Sequence, residues 1–295
     1  MEYSLVRRTV VGWSFALPFV LVFVVFLAGP ILASFLLSFT DFGLRDLRDP
    51  LGAKVIGLEN YRRLFADPKF LRACFNTGYF VVAGVPLTLA TGLLAAVGVD
   101  RGIRRFRTLF RVGYYLPVVT SIVAIAVIWR YVLNPDIGLL NDALRRLGLP
   151  RLDLLGDPAL AMPSIIAMAV WRNMGFSMVI FLAGLQTIPA EVYEAASIDG
   201  AGRWQTFRRV TIPLLRPTLL FAVVVTSIGY LQVFEEPFVM TGGGPLDATL
   251  TVSMYLYQQG FNFFHQGYAA AMAYVLFLAI VLLTIVQFRV LRPQT

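Results

Sequence analysis

Long stretches without one charged side chain constrain this 295-residue chain more than any motif in it. No Asp, Glu, Lys or Arg lies between Arg8 and Asp41, between Arg72 and Asp100, or from Ala248 to Phe288. Shorter gaps separate Arg111 from Arg130, Asp157 from Arg172, Arg172 from Glu191 and Arg216 from Glu235. A bilayer core takes about 20 mostly apolar residues per helix. The gaps therefore predict six spans, at 11–39, 75–98, 109–131, 162–187, 215–236 and 268–288, the fourth carrying Arg172 inside it. Composition agrees, with 58% hydrophobic and 14% charged residues against roughly 25% charged in soluble domains. The expected fold is all-α and polytopic. The first apolar run far exceeds the h-region of about 7–15 residues in a cleaved signal, so it is expected to remain as an anchor.

Basic residues in the short connectors orient the spans, because Lys and Arg concentrate on the cytoplasmic side. Arg101, Arg104, Arg105 and Arg107 sit after the second span, Arg203, Arg208, Arg209 and Arg216 after the fourth, and Arg289 and Arg292 in the tail. The loop 237–266 has no Lys or Arg. These place both termini inside, although the basic loop 40–74 argues the other way. Two segments follow: 1–74, with the first helix and an outer loop, and 75–295, a five-span core with an inward insert at 188–214. A short surface helix is expected near Asn141–Leu147 in the outer loop 132–161. The net charge of +8 is assigned to membrane lipid headgroups rather than nucleic acid.

Several chemistries are excluded by what is missing. The two lysines, Lys54 and Lys69, are followed by Val55 and Phe70. A phosphate-binding loop needs Gly-Lys-Ser/Thr, so the chain holds none. His265 is the single histidine and Cys74 the single cysteine, which rules out a His/Cys metal site or a His-activated nucleophile within one copy. No catalytic or metal-ligating residues are assigned.

The insert Glu191–Pro217 is too long and polar for a simple connector. Pro189 suits the start of a helix, and Glu191 near its N-terminus opposes the dipole. Ala195 and Ala196 are expected to form one small surface for close approach. Asp199-Gly200-Ala201-Gly202 ends the helix near Ile198, since Gly tolerates left-handed C-cap geometry. A second helix is expected over Arg203–Thr211, before Pro213 and Pro217. On residues alone this is either an ordinary amphipathic surface loop or a pair of short helices around a glycine turn, shaped to dock against another protein.

Glu194-Ala195-Ala196, then Gly200, then Val210-Thr211-Ile212-Pro213 closely resembles the EAA motif of bacterial ABC importer permeases. Gly57-Leu58-Glu59-Asn60-Tyr61, Tyr115-Leu116-Pro117, Gly138-Leu139-Leu140-Asn141 and Thr241-Gly242-Gly243-Gly244-Pro245 resemble the carbohydrate-uptake, maltose-transporter-type branch. The resemblance implies that residues 189–213 form coupling helices docking on a separate ATPase. Glu194 would give the acidic contact, Ala195 and Ala196 the close packing and Gly200 the turn, with Asp199, Arg203 and Pro213 in the same loop. It further implies a second permease subunit, two ATPase subunits carrying ATP and Mg, and an extracytoplasmic substrate-binding protein. This chain would bind no cofactor and sit in a bacterial or archaeal cytoplasmic membrane.

The substrate path is sought among polar groups inside spans. In the fourth span Arg172, Asn173, Gly175 and Phe176 are candidates. Asn173 would hydrogen-bond a sugar and Phe176 stack on it, while Arg172 either serves the path or snorkels or pairs with Glu235 or Glu236. In the fifth span Thr226, Tyr230 and Val233 share a face at i, i+4 and i+7. Tyr230 is either a core aromatic or a sugar platform. The expected function is sugar or oligosaccharide import, with glycerol phosphate or another small polar solute as the alternative. A secondary carrier, which would show more spans, inverted repeats and buried carboxylates, is the remote one.

Overall fold

The computed structural model describes residues 2–49, 52–102 and 106–291. Of the basic residues used for orientation, Arg104, Arg105 and Arg292 lie outside the described residues, as does the side chain of Arg101. Helices dominate, and the one β-type pairing among the described residues is an antiparallel bridge between Thr40 and Val55.

The first apolar helix is α1 (Val11–Leu37), and α2 (Glu59–Ala66) lies in the loop after it. Next come α3 (Pro68–Val97), α4 (Arg107–Val119), α5 (Ile122–Val132) and the loop helix α6 (Leu139–Arg146). The long α7 (Ala161–Gln186) precedes the insert, formed by α8 (Ala190–Ile198) and α9 (Arg203–Leu214). Then follow α10 (Arg216–Leu231), α11 (Glu235–Met240), α12 (Val252–Tyr257) and α13 (Gln266–Leu291).

Among the described residues, four helices are long and apolar enough to cross a bilayer: α1, α3 with its extension to Asp100, α7 and α13. Two bent pairs bring the number to six if each is one span. The expected third span, 109–131, is corrected by a 96° bend between α4 and α5. Pro117 cannot donate to the carbonyl four residues back. Thr120 is extended, at φ −80° and ψ 146°, and its hydroxyl donates to Leu116 O at 2.8 Å. The expected fifth span, 215–236, stops at Leu231, and residues 232–234 lead into the separate α11. The second span starts at Pro68, so residues 68–74 belong to its helix rather than to the preceding loop. The surface helix expected near Asn141–Leu147 is α6.

The chain divides into two compact units, residues 1–67 with 256–275, and residues 68–255 with 276–295. In the first, Asn60 is 2% exposed and its amide donates to Ser38 O at 2.9 Å and Thr40 O at 2.8 Å. The Tyr61 and Ser38 hydroxyls meet at 2.8 Å. The Gly-Leu-Glu-Asn-Tyr sequence thus ties the loop back onto the end of α1, satisfying carbonyls that a helix end leaves free.

The second unit is built on α3 packed along α7. Small residues let the backbones approach, as in membrane bundles generally. A Cβ on Gly92 would stand 2.5 Å from Ser177 Cβ, and one on Gly175 would stand 2.0 Å from the Tyr114 carbonyl oxygen. Phe80, Ile165, Met168, Met178 and Phe181 fill the core between these helices. The loop after α11 is pinned to α3, where the Asn76 amide donates to Asp247 O at 2.8 Å and Leu250 O at 2.9 Å.

Candidate functional site

Two places in the second unit concentrate polar chemistry: a cavity inside the bundle and the insert between α7 and α10. The cavity has a volume of about 350 Å³. Arg172, Asn173, Phe176 and Ser177 form its α7 wall, Val225, Thr226, Gly229 and Tyr230 its α10 wall, and Val233 lines it from just beyond the end of α10. The spacings i, i+1, i+4, i+5 place each set on one helix face. Gln232, Glu235 and Glu236 close one end, where α10 has stopped and α11 begins.

Buried polar groups must find partners, and most here do so within the chain. The Tyr230 hydroxyl meets Thr88 Oγ1 at 2.7 Å, while its ring packs edge-on to Phe80 with centroids 5.0 Å apart. Asn173 Nδ2 donates to Ala169 O at 2.9 Å and lies 3.5 Å from the Tyr230 hydroxyl. Arg172 Nη1 donates to Asn173 Oδ1 at 3.3 Å. Arg172 Nε and Ser177 Oγ are buried without a partner. Among the described residues Arg172 has no ion pair within 4.0 Å, so the pairing with Glu235 or Glu236 does not form. Glu236 is 6% exposed, and both glutamates stand in the first turn of α11, where backbone N–H groups favour negative charge.

The insert has the opposite character. Pro189, at φ −59° and ψ 141°, caps α8, and Glu191 occupies its first turn. Gly200, at φ +75°, ends it. Ala201 N–H donates to Ala196 O at 2.9 Å and Gly200 N–H to Ser197 O at 3.1 Å, the paired bonds of a Schellman turn. After it, α9 runs past the expected end at Thr211 through a π-turn at Phe207–Thr211. Pro213 withholds the N–H that Arg209 O would otherwise receive, and the wider turn accommodates the loss. Thr211 is 1% exposed, and its hydroxyl lies 3.4 Å from that of Tyr193, joining α9 to α8. A 68° bend then leads into α10.

Residues 88–294 match the family described as binding-protein-dependent transport system inner membrane component. The chain belongs to this family. It is similar to the probable ABC transporter permease protein YesP of Bacillus subtilis (strain 168), at 38% identity over 97% of this chain and 92% of that one. The lactose transport system permease protein LacF of Rhizobium radiobacter is 37% identical over 96% of this chain and 94% of its own length. The fold resembles a chain in the crystal structure of a bacterial alginate ABC transporter in complex with alginate pentasaccharide-bound periplasmic protein. That likeness has a TM-score of 0.84 and 24% identity, covering 98% of this chain and 96% of the other. The protein is thus a transport subunit of the inner membrane, and not an enzyme.

Within this permease, the expected path residues Arg172, Asn173, Phe176, Thr226, Tyr230 and Val233 all line the cavity. Gly175 does not. It faces α4, where its missing side chain admits the Tyr114 carbonyl, so it positions a wall instead of lining one. Tyr230 is 6% exposed with its hydroxyl engaged, which makes it a core aromatic at the cavity edge.

In the insert, Glu194, Ala195, Asp199, Gly200 and Arg203 are exposed and Pro213 is half-buried. Ala195 and Ala196 do not form one surface: Ala196 is 9% exposed and turned inward, while Ala195 faces out. Consecutive helix positions are rotated by about 100°, too far to share a contact. Sequence reasoning missed Gln232, Glu235 and Glu236 as lining residues, having treated 215–236 as one straight span. It also missed Ile198, 86% exposed, and Trp204, 71% exposed. A large apolar residue on each side of the glycine turn was the available signal.

Proposed function

We propose that this permease forms half of the translocation path of an ATP-driven importer for a sugar or oligosaccharide. The observation that carries the substrate reading is the cavity, where Asn173, Thr226, Gln232 and the two glutamates present hydrogen-bonding groups beside the Phe176 ring inside an apolar bundle. Its volume lies at the lower end of the roughly 300–1,000 Å³ typical of ligand sites. Hydroxylated solutes combine hydrogen bonding with an apolar ring face, and a mixed wall of this kind suits both. The sugar-transport names among the relatives support the same reading. A small anionic solute such as glycerol phosphate is the second reading, favoured by the unpaired Arg172 Nε and opposed by Glu235 and Glu236.

The proposal includes four kinds of partner: a second, different permease, two ATPase subunits that bind ATP and Mg, an external substrate-binding protein and membrane lipid. In this reading both termini lie in the cytoplasm, as the basic short connectors suggest, and the insert meets the ATPase there. Glu194 supplies a charge on the docked face, Ala195 permits close approach, and Ile198 and Trp204 add apolar anchors. Nucleotide-driven closure of the ATPase pair moves this face, and α10, which continues from α9, carries the movement to the cavity. Coupling of this kind needs an element whose two states both sites bias. The test is ATP-driven uptake in vesicles by the complete transporter with Glu194→Lys or Gly200→Pro. Loss of uptake at normal membrane levels is expected, and normal uptake by both variants would remove the coupling claim. Ligand binding to the cognate binding protein separates sugar from anionic solute.

A further inference from the structure

A second cleft, of about 300 Å³, opens between α3, α4 and α7 and has no part in the cavity described above. Its walls are mostly apolar, formed by Leu94, Ala95, Val99, Tyr114 and Met174. Arg107, Arg111 and Tyr114 recur along α4 at i, i+4 and i+7 and so share one helix face, with Tyr114 part of the cleft wall. Arg107 and Arg111 are half-buried, and the Nε atom of each is buried without a hydrogen-bond partner. Arg107 reaches the backbone carbonyl of Asp100, and among the described residues neither guanidinium forms an ion pair within 4.0 Å. Asp100 is the only acidic residue between Asp67 and Asp136, while Arg101, Arg104, Arg105, Arg107 and Arg111 crowd the following 11 positions.

We propose that this cleft holds one anionic phospholipid, its phosphate on Arg107 and Arg111 and an acyl chain against Leu94, Val99 and Met174. Guanidinium forks match phosphate oxygens, and basic pockets beside membrane helices select anionic headgroups. Arginines that only snorkel would keep their N–H groups in water, whereas these two hold Nε donors inside the protein. Arg111 stands one helical turn, about 6 Å, beyond Arg107, so the pair grips a headgroup along the helix axis. The cleft shares no lining residue with the cavity, so lipid bound there does not depend on which solute is transported.

The experiment is native mass spectrometry of the purified complete transporter titrated with phosphatidylglycerol in mixed micelles. Three comparison variants are Arg107→Gln/Arg111→Gln, Leu94→Trp and the charge-matched Arg45→Gln/Arg48→Gln. Leu94 is 67% exposed at the cleft rim, so Trp there narrows the cleft without disturbing the core. Wild type and the Arg45/Arg48 variant are expected to retain one phosphatidylglycerol in preference to phosphatidylcholine. Arg107→Gln/Arg111→Gln and Leu94→Trp are each expected to weaken retention at least fivefold. Inorganic phosphate at the same concentration is expected not to displace the lipid. Displacement by phosphate, equal retention in all variants, or equal loss in the Arg45/Arg48 variant would overturn the proposal.

Discussion

The cavity and the insert are made from neighbouring stretches of the same chain, yet they treat polar and apolar groups in opposite ways. Around the cavity, Tyr230, Asn173 and Thr88 turn hydrogen-bonding groups on one another, and Arg172 Nε and Ser177 Oγ, though without a partner, are buried. On the insert the backbone closes itself with a Schellman turn, while Ile198 and Trp204 are left bare to the surroundings. An apolar residue facing lipid is ordinary, but one on a polar inter-span segment has no solvent that favours it, and such exposure marks contact surfaces. The cavity is therefore bordered by side chains packed within the bundle, whereas the insert leaves two large apolar side chains outside its own packing.

This contrast can be broken first at the cavity wall. Gly175→Val would drive a Cβ into the Tyr114 carbonyl, a contact with backbone that no rotamer relieves. Overpacking of this kind costs about 3 kcal/mol or more. Thermal unfolding in detergent is expected to show a grossly destabilised or unrecoverable protein, and a wild-type melting curve would show that α4 does not press on α7 there.

Next comes the insert. Ile198→Asp with Trp204→Ala removes two exposed side chains, so the melting temperature should stay within about 1–2 °C of wild type, since exposed sites away from such features change stability little. Uptake should nonetheless fall tenfold or more, equivalent to about 1.4 kcal/mol of lost docking. A loss of stability parallel to the loss of uptake would make these residues structural and erase the difference between the regions.

A smaller effect sharpens the role of Tyr230. Tyr230→Phe keeps the ring against Phe80 and deletes the hydroxyl bonded to Thr88. The expected cost is about 1 kcal/mol, read as a few degrees of melting temperature, with uptake kinetics little changed. A selective fall in uptake at unchanged stability would restore Tyr230 as a solute platform.

The smallest effect lies on α6, outside the spans. Hydrogen bonding from Arg145, with the charge of Arg146, holds the Asp142 carboxyl below its ordinary value. A depressed folded pKa stabilises only while the group is ionised. The contribution is thus complete above the ordinary carboxylate range, about pH 4, and is lost as pH falls through the lowered value. The Asp142 side chain is 34% exposed and its arginine partners 78% and 79%, so solvent screens the group and the effect is slight. Asp142→Asn should flatten the acid limb of a melting-temperature profile marginally, and an unchanged or steeper limb would contradict the assignment.

Much of this was legible from hydropathy, because a bilayer imposes one coarse requirement, a long uncharged helix, and the sequence shows it plainly at α1, α3, α7 and α13. Direction is a different matter. The 96° bend at Thr120–Ser121 and the break after Leu231 leave mean hydropathy almost untouched, since Thr, Ser, Gly and Gln are tolerated within spans. The consequence was that Glu235 and Glu236 stayed hidden as cavity walls. Gly200 was legible because a left-handed turn demands glycine. Gly175 was not, because its meaning lies in which helix comes close, and that is decided by residues distant in sequence. The inward turn of Ala196 likewise depends on the packing of α8 and α9 against each other.

The central claim is that the outer face of the insert is covered by the ATPase in the working transporter. Cysteine labelling tests it directly, with Cys74→Ser as the background. Ala195→Cys, on the exposed side of α8, is compared with Val55→Cys, on a loop residue that is 74% exposed. In the permease pair alone both cysteines should react with a membrane-impermeant maleimide added to detergent-solubilised protein. On assembly with the ATPase subunits the Ala195→Cys site should be protected, while the Val55→Cys site reacts as before. Equal labelling of Ala195→Cys in both states would contradict the account.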